Sequence, residues 1–161
     1  MRILFHKLTD QRHALEIVRD DGQHDRVELE TRSCLVHDFL HYAVESRAGL
    51  RGGFWGRLAA GRSLAEMNDR TAYAGAPGGM DPEMAVIERV VGAMSGIAKG
   101  RTAADLIAGF RQSAASAGTP APPWLTGPVI EDAAERLRRL TGQWRATPHG
   151  QAMAIDWPPA E

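Results

Sequence analysis

The chain reads as an α+β protein: a small, mostly antiparallel sheet built from both chain ends, with a central helical region packed on one sheet face. Three observations point to this class. Apolar residues alternate with polar ones over residues 1–31 and again near the C-terminus, which is the period of half-buried strands. Between them, over residues 33–141, the apolar spacing is helical. The proline-rich connector at residues 119–128 leaves too little chain after it for a second domain, so the 161 residues are expected to form one domain.

The N-terminal strands are read from Ile3 and Phe5, from Leu15 and Ile17, and from Val27 and Leu29, each flanked by polar neighbours. Asp20, Asp21, Gly22 and Gln23 form a turn signal between the second and third runs, with the Asp-Gly pair able to supply positive φ. Near Ser33 the period changes. Val36, Phe39, Leu40, Ala43 and Val44 recur at helical spacing, and Gly49 can end that helix in the left-handed conformation. A short helix over Trp55 to Ala60 and a capping box at Ser63 and Glu66 follow. A loop is expected around Gly75, Pro77 and Gly79.

Asp81, Pro82 and Glu83 combine a cap, a first-turn proline and an acid that suits the helix dipole. The stripe Val86, Ile87, Val90, Val91, Met94 and Ile97 continues that helix. Thr102 and Asp105 start the next, whose core face is Leu106, Ile107, Phe110 and Ala114. The two should form an antiparallel hairpin, with Gly92, Gly96 and Gly109 allowing close approach. Pro128 opens a last helix carrying Ile130, Ala133, Leu137 and Leu140, which Gly142 is expected to end. Residues 143–157 then read as a closing hairpin whose second strand holds Met153, Ile155 and Trp157.

Composition narrows the function classes. Hydrophobic residues make up 43% and charged residues 24%, as in globular proteins rather than disordered or membrane ones. Nineteen basic against twenty acidic residues leave a net charge of −1, so no overall field favours nucleic acid or an anionic membrane. A lone Cys34 excludes an internal disulfide and a multi-cysteine zinc knuckle. Lysine occurs only at Lys7 and Lys99; the other basic residues are arginine, a bias that fits a high-GC bacterial coding habit. The N-terminal apolar run of three residues is far short of a secretory core, and no window suits a membrane span, so a cytoplasmic location is expected.

The sharpest local feature is His37-Asp38-Phe39-Leu40-His41, an HDxxH pattern. Four-residue spacing puts two imidazoles on adjacent turns of one helix face, close enough to share one ion. With Val36 at zero and about 100° per residue, the apolar stripe spans roughly 300° to 80°, His37 falls near 100° and His41 near 140°. The pair thus borders the buried face. Glu45 falls near 180°, about 12 Å along the axis from His37, and is expected on a solvated face.

This spacing resembles the His-Glu-x-x-His helix of zincin metallopeptidases, as does the order of a small sheet followed by the metal helix. The resemblance implies a third ligand from a downstream helix, with Glu66 or Asp69 the positions to test, and a zinc ion with a catalytic water. Asp38 stands where that family has its glutamate general base, and its reach is one methylene shorter. It is expected to act as a short-reach base or to orient a ligand or water. His37-Asp38 is also similar to the metal-ligating dipeptide of the HD phosphohydrolases. That family requires a further histidine upstream on a helix, whereas His6, His13 and His24 fall on strands or a turn.

Two further features were weighed. Residues 49–61, from Gly49 to Gly61, hold five glycines with Phe54 and Trp55. They follow a helix rather than a strand, which does not suit a phosphate cradle. The glycines are expected to allow tight turns while the aromatics pack over the sheet; a ligand cleft between this loop and the His37/His41 face, and a surface for a second copy of the chain or a protein partner, are the two functional readings. Cys34 opens the first helix near the histidines, where a Cys–His nucleophile is conceivable. The two function classes are therefore a divalent-metal-binding protein with zincin-like hydrolase chemistry, and a non-catalytic interaction domain.

Overall fold

The computed structural model describes residues 1–68, 81–97, 100–116, 118 and 120–158. Four strands form one antiparallel sheet: β1 (Arg2–Lys7), β2 (Arg12–Val18), β3 (His24–Glu30) and β4 (Ala152–Asp156), in spatial order β3-β2-β1-β4. The register pairs Ile3 with Ile17 and Ile155, and Phe5 with Leu15 and Met153, so one face of three strands carries the apolar set. The chain turns between β2 and β3 at the expected place. Gly22 there adopts φ +85°, and the Arg19 amide donates to the Gln23 carbonyl at 2.8 Å.

A π-helical turn (Thr31–Leu35) leads into α1 (Val36–Ala48), which Gly49 ends at φ +67°. Then come α2 (Phe54–Ala59), α3 (Leu64–Asn68), α4 (Pro82–Met94), α5 (Ala103–Ser116) and α6 (Gly127–Ala146). The start signals work as read. The Asp81 carboxylate accepts the Glu83 and Met84 amides. Ser63 and Glu66 bond reciprocally, as do Thr102 and Asp105. None of the helices described is long and apolar enough to cross a membrane. The loop expected around Gly75, Pro77 and Gly79 lies outside the described residues.

α1 lies between two apolar clusters. Phe39 and Tyr42 join the sheet residues Ile3, Phe5, Leu15 and Ile17 on one side. Leu40, Ala43 and Val44 join Ile87, Val90 and Val91 of α4, Phe110 of α5 and Ile130 of α6 on the other. Every residue from Asp38 to Glu45 is buried, while Val36, placed at the centre of the apolar stripe by spacing alone, is 47% exposed. A helix packed on two sides has no single wet face.

The C-terminal hairpin needs correction. Only β4 is a strand; residues 143–146, expected as its partner, form the last turn of α6. The helix runs through Gly142 because Trp144 extends the stripe Ile130, Ala133, Leu137, Leu140 by one more step of four. Trp144 is 7% exposed, and its ring stands edge-on to His13 at 5.9 Å. Lys7 closes this helix end by donating to the carbonyls of Trp144 at 3.2 Å and Thr147 at 2.9 Å. The expected close approach at Gly92 and Gly109 is also absent, since a Cβ at either would meet nothing within 4 Å.

Candidate metal centre

α1 presents His37 and His41 one turn apart, and α4 brings Glu88 against them. The two imidazole Nε2 atoms are 3.2 Å apart. His41 Nε2 stands 3.3 Å from one Glu88 oxygen, and His37 Nε2 stands 3.7 Å from the other. Donors held about 2.0–2.1 Å from a tetrahedral ion are about 3.3–3.4 Å from each other; the two Nε2 atoms and the nearer Glu88 oxygen approach that spacing on two edges, and one donor atom from each of the three residues lies within 4.8 Å of the others. The group of His37, His41 and Glu88 can hold a metal ion.

Glu45 explains why His41 is so well placed. Its side chain is fully buried. One carboxylate oxygen lies 2.8 Å from His41 Nδ1 and accepts the Phe54 amide at 2.9 Å. The other accepts the Trp55 amide at 2.9 Å. Glu45 therefore caps α2 and anchors the Nδ1 side of His41, so that Nε2 points at Glu88 and His37. Gly53 makes room for this: a Cβ there would sit 2.2 Å from the Glu45 carboxyl carbon. The solvated-face expectation for Glu45 is overturned, because the glycine segment after α1 folds back onto that face.

The charges follow from this packing. Burial works against a charged His41, but the hydrogen bonds it donates to Glu45 and then Glu88 outweigh that and raise the pKa to about 9. Burial pushes the Asp38 carboxyl up to about 7, against the opposing charge of His41. Asp38 is 8% exposed, and its Oδ2 has no hydrogen-bond partner among the described residues. Its main-chain carbonyl accepts the Trp55 indole N–H at 3.2 Å, which fixes the turn of α1 that carries it.

A cleft of about 560 Å³ opens over this group, lined by His37, Asp38, His41 and Glu88 together with Leu29, Cys34, Phe54, Met67 and Met84. Cys34 thus reaches the same cleft, with its sulfur 3.6 Å from the Ser33 hydroxyl. Glu66 sits elsewhere. It is exposed and serves the α3 capping box, accepting from the Ser63 amide at 2.8 Å and from Arg62 at 3.1 Å. Those bonds, led by the Ser63 amide, hold its pKa below the usual glutamate value. Among the described residues, Glu88 rather than Glu66 completes the cluster; Asp69 lies outside them.

The aromatics of residues 49–61 pack inward, as the tight-turn reading expects. Trp55 is fully buried against Phe5 and Tyr42, and Phe54 is half-buried at the cleft, its ring 5.9 Å from that of His41. Glu88 was missed in the sequence because it borders the apolar stripe of α4 like any solvated acid. The one available signal was the zincin-like requirement for an acid on a downstream helix. No protein-family model matches the chain, and comparisons with curated proteins and with solved structures return no match either.

Proposed function

We propose that the protein binds one divalent ion, zinc, through His37 Nε2, His41 Nε2 and Glu88, and uses it as a metal-dependent hydrolase. The observation that carries this reading is the convergence of both imidazole Nε2 atoms, 3.2 Å apart, on the Glu88 carboxylate, whose two oxygens stand 3.3 Å from His41 Nε2 and 3.7 Å from His37 Nε2. A fully buried carboxylate on the far nitrogen of His41 supports it, since metal-bound histidines almost always donate their other N–H to such a group. Two histidines and one carboxylate leave a coordination position for water, and a zinc ion there lowers the water pKa to about 7.

The chain's own residues then divide the work. Glu45 orients His41 and makes it a better donor. Glu88 supplies the negative charge that offsets the ion. Asp38, with a buried oxygen that lacks a partner, faces the same cleft and hydrogen-bonds to the water or the substrate. Glu66 remains a helix cap.

Calorimetric titration of chelator-stripped protein with zinc tests this. The expected result is one site per chain, weakened at least a hundredfold in His41→Ala and Glu88→Ala variants that keep their circular dichroism. Glu66→Ala should bind zinc like the parent. Loss of zinc in Glu66→Ala but not in Glu88→Ala would sink the reading.

A further inference from the structure

We infer that the cleft takes a neutral ligand with an apolar tail, such as an acyl or aryl amide, rather than a phosphorylated one. This rests on the metal reading above and adds the substrate class. Leu29, Phe54, Met67 and Met84 supply apolar wall around the metal group, from four different elements. Met84 lies one turn before Glu88 on α4, so the apolar wall begins right beside the donor atoms. Two methionines give that wall an adaptable surface. The volume of about 560 Å³ lies within the range of small-molecule sites.

The charge pattern points the same way. No arginine or lysine is among the described lining residues, whereas Glu88 and Asp38 both face the space. A phosphate group would have the ion alone to hold it, because arginine and lysine are missing from the described lining and the amides of the α2 N-terminus are already taken by Glu45. Asp38 lines the same cleft, and its Oδ2, itself buried and without a partner among the described residues, gains one if the side chain turns towards a donor on the ligand head. An amide or hydroxamate head offers an N–H to Asp38 and an oxygen to the ion at once.

The test uses the full chain, first titrated with zinc to establish stoichiometry. Acetohydroxamate, octanohydroxamate, benzohydroxamate and inorganic phosphate are then titrated into the zinc-loaded protein and into chelator-stripped protein. The longer hydroxamates are expected to bind the loaded protein at least about tenfold more tightly than acetohydroxamate, as burial of two or more methylenes gives. They should bind the stripped protein at least tenfold more weakly, and phosphate should not compete. Failure to take up zinc overturns the metal reading and this inference together. Zinc uptake with equal affinity for short and long hydroxamates, with competing phosphate, or with equal binding to stripped protein overturns the inference and leaves the metal reading standing.

Discussion

At the residue scale the centre turns on Glu45, which hydrogen-bonds the proposed ligand His41 through Nδ1, the ring nitrogen away from the ion. It joins a helix cap to a histidine orienter, so two substitutions separate its roles. Glu45→Gln keeps the volume and one acceptor oxygen. Zinc affinity should fall about 10–100-fold, read by calorimetry, because the neutral amide no longer strengthens His41 as a donor. Glu45→Ala also strands the Phe54 and Trp55 amides and His41 in the interior. Its cost should be about 3–5 kcal/mol in urea unfolding, and a loss below about 1 kcal/mol would contradict the cap.

His13 gives a second prediction at this scale. Its ring is fully buried between Phe5 and Trp144, and its Nε2 has no hydrogen-bond partner among the described residues. Burial pushes its pKa down from 6.5 to about 4. The folded state therefore holds fewer protons than the unfolded state between these values. The stability that His13 contributes is complete above pH 6.5 and is lost as pH falls towards 4, on the order of 3 kcal/mol in all. His13→Phe removes this dependence while keeping an aromatic ring in place. The stability of the parent minus that of the variant should decline across this window. A difference that is flat from pH 7 to 4 would show that His13 is not held neutral.

At the element scale, what was legible in the sequence follows from how many sides of each element are packed. α4, α5 and α6 each bury one stripe, so their caps and core residues could be read directly. β1, β2 and β3 were legible because one sheet face carries Ile3, Phe5, Leu15 and Ile17, with Val27 and Leu29 packed against them. α1 was misread because it packs on both sides: a wheel centred on Val36 gives a wet face to Asp38 and Glu45, and both are buried. The HDxxH spacing survived that error, since two residues four apart share a face whichever way the helix is turned. Glu88 could not be chosen from spacing, because its partnership with His41 is created by the docking of α4 on α1. The end of α6 failed for a local reason. Gly142 was read as a stop, but a glycine stops a helix only where the chain adopts positive φ, and Gly142 does not. A Cβ there meets nothing within 4 Å. Gly142→Ala should thus stabilise the protein by about 0.5–1 kcal/mol, seen as a higher urea midpoint with unchanged slope. A destabilised variant would place the end of α6 before Gly142 after all.

At the scale of the whole molecule, the proposed ion ties α1 to α4, two helices that each reach both apolar clusters. His37 and His41 belong to the helix between the clusters, and Glu88 to a helix whose residues Ile87, Val90 and Val91 fill the second. An ion bound to the folded state alone stabilises all of it by mass action, whatever the individual donor contributions. At free zinc one hundred times the dissociation constant, the increment is about 2.7 kcal/mol. Chelator-stripped protein titrated with zinc should show a melting temperature that rises with the logarithm of free zinc, since U lacks the preformed group of donors. Glu88→Ala supplies the control. Removal of Glu88 also takes a carboxylate away from buried His41, so each protein is compared with its own metal-free form, and the zinc-dependent rise should vanish in the variant. A rise that persists in Glu88→Ala would mean that zinc is held elsewhere, and the triangle of His37, His41 and Glu88 would then be a hydrogen-bonded cluster with no ion at its centre.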